Sequence, residues 1–101
     1  MAYDVVFTTT FEYDYRGILV YLVDVLNTPV AAGSLLEEID QMILNLESTP
    51  ELFAISRKKS LALYSYREYP VKNYVAIYRI ENNQVFLIHM FHASQNYEAY
   101  V

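Results

Sequence analysis

The second half of the sequence holds the side chains best suited to acid–base and phosphate chemistry. Imidazole side chains in general titrate near pH ~6.5, so a histidine such as His92 can serve as an acid or a base. Arg67, Arg79 and Lys72 supply cationic groups that can lie beside a phosphate. Metal-free cleavage of RNA needs a base for the 2′-hydroxyl, an acid for the leaving oxygen and positive charge around the phosphorane. These residue types are compatible with that chemistry, although the set is small.

The only run of consecutive basic residues is Arg57, Lys58 and Lys59. Together with Lys72, these side chains can bind the phosphate groups of a nucleic acid, a contact that carries no sequence information. A short basic run is also typical of an ordinary solvated loop. Both interpretations stay open at the level of sequence.

Plainer structural roles exist for the other candidates as well. We expect His89 to face the helical layer as a hydrogen-bonded core histidine, whereas a structural and a functional role are both open for His92 at a strand end. Arg67 and Arg79 can pair with neighbouring glutamates, which contributes little at a surface. Two histidines with no convincing third ligand predict no metal site, and no motif predicts a cofactor.

Length and composition predict a single domain spanning residues 1–101. A hydrophobic content of 54% is ample for one compact core. The absence of cysteine excludes disulfide scaffolds, thiol catalysis and cysteine-based zinc sites. No basic region of the kind that begins a signal peptide precedes Asp4. No apolar run approaches the roughly 20 residues of a membrane span. We therefore expect a soluble cytoplasmic protein with no membrane contact.

Charge is distributed unevenly along the chain. Residues 1–51 hold nine of the twelve acidic residues and only Arg16 among the bases, which gives −8, while residues 52–101 hold six bases and three acids, which gives +3. The two halves sum to the net charge of −5. This asymmetry is consistent with one layer that meets solvent and another that meets an anionic partner, or with ordinary surface charge.

The N-terminal half predicts a strand followed by a helical hairpin. Ala2 to Thr8 alternates as a short strand, and Thr8, Thr9 and Thr10 can cap a helix that runs to about Leu26. Thr28 as the N-cap and Pro29 at the first helical position predict a second helix to about Glu47. The two helices are expected to pack antiparallel.

The C-terminal half predicts three strands. Tyr74 to Ile80 and Val85 to Phe91 are rich in β-branched and aromatic residues and flank a polar turn, so they predict a central β-hairpin. A turn centred on Asn82 and Asn83 pairs Ala76 with His89, Tyr74 with Phe91 and Asn73 with His92. Leu61 to Arg67 is expected to form another strand after an irregular connection over Glu51 to Ser60, and a short tail closes the chain from Ala93 to Val101.

Helices and strands kept apart in sequence predict an α+β fold of order β-α-α-β-β-β. In it, the helical hairpin packs on one face of a mainly antiparallel four-stranded sheet. The other sheet face is then expected to stay partly open and to carry Arg79, Asn73 and His92, with Arg67 added if its strand has the matching register.

The order of these segments resembles a known family. The N-terminal YDVVFTTTFEYD, the hinge NTPVAAGSLLEEI, the block YSYREYPVKNYVAIYRIENNQVFLIHMFH and the ending HASQNYEAY are similar to RelE/ParE superfamily toxins of bacterial type II toxin-antitoxin systems, which include plasmid stabilisation proteins. The resemblance implies a cognate antitoxin that wraps a helix and an extended segment around the toxin, with a heterotetramer as one possible assembly. It implies ribosome-dependent mRNA cleavage by an endoribonuclease or, in the ParE branch, binding to DNA gyrase. A degenerate member that only binds antitoxin is a third alternative.

The resemblance carries over to individual residues only in part. RelE-type nucleases have arginines at places that correspond here to Val75 and Ser94, and the family ending His-x-Arg-Arg-x-Tyr retains only His92 and Tyr97. Tyr100 matches the C-terminal tyrosine of the nucleases by its distance from Ser94. The catalytic candidates implied by the resemblance and by residue chemistry are therefore His92, Tyr100, Arg67 and Arg79.

Overall fold

Four strands form one mixed sheet in the computed structural model, which describes residues 3–101. The strands are β1 (Asp4–Phe7), β2 (Arg67–Val71), β3 (Tyr74–Glu81) and β4 (Gln84–His92). Their order across the sheet is β1-β4-β3-β2, with β1 parallel to β4 and the other two pairings antiparallel. The predicted α+β fold of helices on a mainly antiparallel sheet is therefore confirmed. Ala2 of the predicted first strand lies outside the described residues.

The first helix begins where the threonine run predicts. Helix α1 spans Thr9–Val20, and the hydroxyl of Thr8 accepts a hydrogen bond from the Phe11 backbone N–H at 3.2 Å. This side chain satisfies one of the orphan donors at the helix start. A five-residue π-helical turn, Tyr21–Val25, then continues the helix close to its predicted end at Leu26.

The second helix, α2, spans Pro29–Ser48 and has the predicted start at Pro29. The Thr28 hydroxyl, however, does not cap α2; it donates to the Leu22 carbonyl at 3.0 Å and so closes the loop between the helices. With 20 residues α2 is the longest helix. No helix within residues 3–101 combines the length and apolarity needed to cross a membrane.

The strand predicted over Leu61 to Arg67 is wrong. The end of a short helix, α3 (Lys59–Ala62), and the turn that follows it occupy this segment, and strand β2 starts only at Arg67 and runs to Val71. Leu61 is completely buried, so its apolar character reflects packing of a helical turn against the sheet rather than a strand. A short apolar run does not distinguish a strand from a buried helical turn.

The β3–β4 hairpin has the predicted register near its turn but not at its open end. Tyr78 lies opposite Leu87 as expected, but Ile88 is an extra residue in β4, so Ile77 lies opposite His89. This β-bulge shifts every later pair by one, and Tyr74 rather than Asn73 lies opposite His92. His89 is therefore not opposite Ala76 as predicted.

Both faces of the sheet are covered, which contradicts the expected open face. The larger core lies between the sheet and helices α1 and α2, around Phe11, Met42 and Tyr78. On the opposite face, Val75 and Ile77 pack with Leu61 of α3 and with Tyr97, which begins a 3-10 turn, Tyr97–Tyr100. The C-terminal tail and α3 therefore cover the sheet face that was predicted to stay partly open.

Candidate functional site

His92 is an exposed side chain at the end of β4, beside helix α1. Its ring makes an edge-on contact with Tyr74, with ring centroids 5.4 Å apart. Its Nδ1 accepts a hydrogen bond from the Ser94 backbone N–H at 3.2 Å and lies 2.7 Å from the Ser94 hydroxyl oxygen. Because a backbone N–H can only donate, Nδ1 is the acceptor, and the neutral ring carries its proton on Nε2. His92 is thus chemically suited to proton transfer through Nε2.

Arg67 lies on the helix-packed side of the sheet, near the turn end of the hairpin. It pairs across the strands with Tyr78, a residue of the larger core, and cross-strand partners share a face. Its guanidinium donates to the Phe53 carbonyl at 2.6 Å instead of pairing with Glu68. Arg67 therefore has a structural partner in the loop that follows α2.

Arg79 lies on the opposite face from Arg67. It is the neighbour of Tyr78 along β3, and successive side chains of a strand point to opposite faces. Its guanidinium lies 5.9 Å from the ring centre of Phe86 and 3.3 Å from the Glu81 carboxylate, the ion pair expected from sequence. The Nε atom of Arg79 is buried and has no hydrogen-bond partner in the part of the chain that the structure describes.

The four catalytic candidates do not converge on one site. Arg79 lies opposite Phe86, six residues before His92 along β4, a separation of about 20 Å at ~3.3 Å per residue. Tyr100 lies in the tail, 63% exposed, with its ring 6.5 Å from Phe91 on the face away from the helices. Arg67 and Arg79 share one end of the sheet but not one face. The expected cluster on a single open face is therefore not formed.

The predicted basic run is partly engaged with the C-terminal tail. Lys58 Nζ lies 2.6 Å from the Tyr97 hydroxyl and 3.2 Å from the Glu68 carboxylate, and it lies over the Tyr97 ring at 4.5 Å. The hydrogen bond with Tyr97, followed by the attraction of Glu68, raises the pKa of Lys58 above its ordinary value. Arg57 and Lys59 are exposed. Lys58 thus fastens the tail to β2, while its two neighbours face solvent.

Lys72 is separated from the basic run in sequence and lies at the tight turn between β2 and β3. Its backbone has φ = 55°, a left-handed conformation typical of such turns. It borders a shallow depression of about 350 Å³ that Glu68 and Tyr97 also line. Lys58 contacts both of those residues, so Lys58 and Lys72 lie near the same depression, a proximity that no sequence pattern predicts.

A larger groove, which sequence analysis missed, lies between α1 and the end of β4. Strand β1 pairs with β4 only as far as Leu87, so beyond that point α1 faces the β4 edge. The groove has a volume of about 820 Å³, and its lining includes Tyr74, Met90 and His92 together with residues of α1. Exposed apolar positions in α1, including Val20, were the one sequence signal that could have indicated it.

Asp14 fixes the position of α1 against this groove. Its carboxylate accepts a hydrogen bond from the Met90 backbone N–H at 3.0 Å and lies 3.5 Å from His89 Nδ1. The His89 ring stacks on Phe91, with centroids 5.0 Å apart, and Phe91 packs in the cluster on the tail-covered face. His89 is thus a partly buried residue at the bulge, where it links β4 to α1 instead of packing opposite Ala76.

No group of three or more histidine, cysteine, aspartate or glutamate side chains within residues 3–101 could hold a metal ion. The charged or titratable side chains at the groove include His92, Glu12, Asp14 and Arg16, among apolar neighbours such as Val20 and Met90.

A family model described as the ParE toxin of type II toxin-antitoxin system, parDE, matches residues 5–97. The chain belongs to the ParE toxin family. This match includes the sheet, both long helices and the start of the tail, and it confirms the expected membership of the RelE/ParE superfamily. A comparison with curated protein sequences finds no match.

The ParE fold is also found in a solved structure described as a chromosomal ParDE TA system from P. aeruginosa. The two chains superpose with a TM-score of 0.69 at 14% sequence identity, covering 90% of this chain and 96% of the other. At this identity the similarity concerns the fold. The match to the family model, in contrast, makes the chain a ParE toxin of a type II toxin-antitoxin system.

Proposed function

We propose that this ParE-family toxin inhibits growth by binding DNA gyrase, without catalysis, and that a cognate antitoxin neutralises it. The observation that supports this proposal is the dispersal of the four catalytic candidates over two faces and two ends of the sheet. Cleavage of a phosphodiester needs an acid, a base and cations within a few ångströms of one phosphate. A toxin that acts by binding has no such requirement.

The guanidinium groups are also engaged elsewhere. Arg67 donates to the Phe53 carbonyl and Arg79 pairs with Glu81, so moving either one to a phosphate would break an existing contact. The net charge of −5 adds to this argument, because the ribosome and its message are polyanions that an acidic protein does not attract over long distances.

Ribosome-dependent mRNA cleavage is the second candidate, and one observation favours it. The exposed His92 ring has its Nδ1 engaged by Ser94, which leaves Nε2 free to exchange a proton with a bound substrate. Tyr100 is exposed as well. Under this alternative, His92 would act as acid or base and the cationic groups Arg57, Lys58, Lys59 and Lys72 would contact message phosphates.

Inducible expression without antitoxin tests the proposal. We expect the unsubstituted chain to arrest growth, and the triple variant His92→Ala, Tyr100→Phe and Arg79→Gln to arrest growth equally, because binding does not use their chemistry. Thermal unfolding of the purified triple variant shows whether it is folded. Loss of arrest in a variant that unfolds at the same temperature as the unsubstituted chain would favour the nuclease. Absence of arrest by the unsubstituted chain would indicate a degenerate member that only binds antitoxin.

A further inference from the structure

Exposed side chains of α3, of its flanking residues and of the C-terminal tail lie together on the sheet face away from the helical hairpin. This α3 patch consists of Arg57, Lys59, Leu63, Tyr64 and Tyr100. Its three apolar members are large and exposed, Leu63 by 77%, Tyr64 by 50% and Tyr100 by 63%. Single apolar side chains on a surface need no explanation, whereas a group of them marks an interaction site.

Hydrogen bonds hold the two parts of the α3 patch together. The Ser60 hydroxyl donates to the Glu98 carbonyl at 3.0 Å, and Lys58 Nζ lies 2.6 Å from the Tyr97 hydroxyl. Leu63 has helical backbone angles and follows Ser60 by three residues, so it lies on the side of α3 that meets the tail. A surface fixed in this way loses little conformational entropy when it binds a partner.

The chain around the α3 patch is cationic, in contrast to the rest of the protein. Residues 52–67 contain four bases and no acid, although the net charge of the chain is −5. Two of these bases, Arg57 and Lys59, are exposed and form no ion pair within residues 3–101. Their positive charge therefore attracts an anionic partner.

The composition of the α3 patch favours a protein as this partner over a nucleic acid. Tyrosine and arginine are enriched in the buried centres of protein interfaces. Leu63, the most exposed apolar member, has neither a charge for a phosphate nor a ring that stacks on a base. The net charge of −8 over residues 1–51 also repels a polyanion over long distances. A protein surface with acidic side chains around an apolar centre fits these properties.

We propose that the α3 patch is the surface through which this toxin binds its target, and that the counterpart on the target is acidic with an apolar centre. The three apolar members become buried in the middle of the interface, and the two cationic members pair with carboxylates at its rim. The proposal rests on the proposed function, in which the target is DNA gyrase, and adds the contact surface and the chemistry of its counterpart. None of the five residues lines the groove beside α1.

Binding of purified DNA gyrase holoenzyme to the full-length toxin tests the apolar part of the patch. We expect Leu63→Asp to weaken binding at least about tenfold, because it removes a central apolar contact and adds a charge that an acidic surface repels. Leu44→Asp is the control, since Leu44 is 59% exposed on α2 and the net charge changes equally. Thermal unfolding shows whether both variants are folded. Equal affinities of Leu63→Asp and the unsubstituted chain would overturn the inference and leave the proposed function intact.

A second pair of variants tests the cationic part. Lys59→Gln and Gln41→Glu each make the net charge more negative by one, and Gln41 is exposed on α2. We expect Lys59→Gln to slow association with gyrase about threefold at low salt and the difference to vanish at high salt, because salt screens rim charges. Gln41→Glu should have a smaller effect. Equal effects of the two variants would show attraction by net charge alone and contradict contact at the α3 patch.

Two further measurements test other occupants of the α3 patch. Sedimentation shows whether the unsubstituted chain self-associates, and self-association lost in Leu63→Asp would assign the patch to a second copy. Binding to single-stranded and double-stranded DNA without gyrase, if lost in Lys59→Gln, would assign it to a nucleic acid. Either result would overturn the inference. Absence of gyrase binding by the unsubstituted chain would contradict the proposed function and the inference together.

Discussion

Tyr74 lies directly opposite His92, one position away from the register that the β-turn predicts. The displacement arises at Ile88, where one extra residue in β4 bends the strand and transfers the following side chains to the other face. Met90 consequently packs in the larger core, and His92 borders the groove beside α1. A single bulge thus determines which face of the sheet carries His92.

The Thr8 hydroxyl stabilises both the start of α1 and the strand beside the bulge. It accepts from the Phe11 N–H at 3.2 Å and donates to the Leu87 carbonyl at 2.7 Å. We expect Thr8→Val to lower the free energy of unfolding by about 1 to 2 kcal/mol, because both bonds are lost at nearly constant volume. Urea titration measures the change, and Thr10→Val is the control at an exposed position. Equal stability of the two variants would contradict this role.

The Asp14 carboxylate accepts a hydrogen bond from the Met90 backbone N–H, which lies beyond the part of β4 that pairs with β1. Asp14→Ala leaves the Met90 N–H without its 3.0 Å acceptor, at an expected cost of about 1 to 3 kcal/mol. Hydrogen exchange at the Met90 amide should become faster. Asp14→Asn keeps an acceptor oxygen, so it should restore most of the lost stability and most of the exchange protection of the Met90 amide. Unchanged exchange in Asp14→Ala would show that the amide is protected by something other than this carboxylate.

Tyr78 makes stability depend on pH in the alkaline range. Burial raises the pKa of Tyr78 to about 12 from its ordinary value of 10.0. The folded state therefore retains the phenol proton more tightly, so the stabilisation is complete below pH 10 and is lost as pH rises towards 12. About two pKa units correspond to about 2 to 3 kcal/mol.

Tyr78→Phe tests this dependence. The variant has no ionisable group there, so its stability should fall less steeply between pH 10 and pH 12 in denaturant titrations. It should also be less stable at neutral pH, because the Tyr78 hydroxyl donates to the Pro50 carbonyl at 2.7 Å. Tyr13→Phe, at an 80% exposed position, is the control. Parallel pH curves for Tyr78→Phe and the unsubstituted chain would contradict the prediction.

Lys58 holds the tail against the sheet through Tyr97. Removing the ammonium in Lys58→Met should increase hydrogen exchange in the Tyr97–Tyr100 turn while changing global stability little, since the ion pair is partly exposed. Lys59→Met removes an exposed charge next to it and should leave the tail protected. Tail exchange unchanged in Lys58→Met would mean that apolar packing of Tyr97 alone fastens the segment.

Sequence patterns predicted the elements with strong local signals. The threonine run located the start of α1, Thr28 and Pro29 located the start of α2, and the polar turn located the central hairpin. The strand predicted over Leu61 to Arg67 was wrong because a buried apolar helical turn and a strand have the same short sequence pattern. The bulge at Ile88 also has no local signature, because it depends on how β4 meets α1 and β1.

The candidate site was predictable only as a list of residue types. Nothing in the sequence placed Arg67 and Arg79 on opposite faces, because that depends on where β2 starts and how it pairs with β3. Tyr97 and the tail were expected beyond the sheet, whereas they cover one of its faces. The groove was not predicted because it forms where β4 extends beyond the end of β1, which depends on how the strands pair in the folded sheet.

The most direct test of a toxin that acts by binding is inhibition of purified DNA gyrase in a supercoiling assay, run beside an mRNA cleavage assay with active ribosomes. We expect inhibited supercoiling by both the unsubstituted chain and His92→Ala, with intact message. Cleaved message that depends on His92, with supercoiling unaffected, would contradict action by binding.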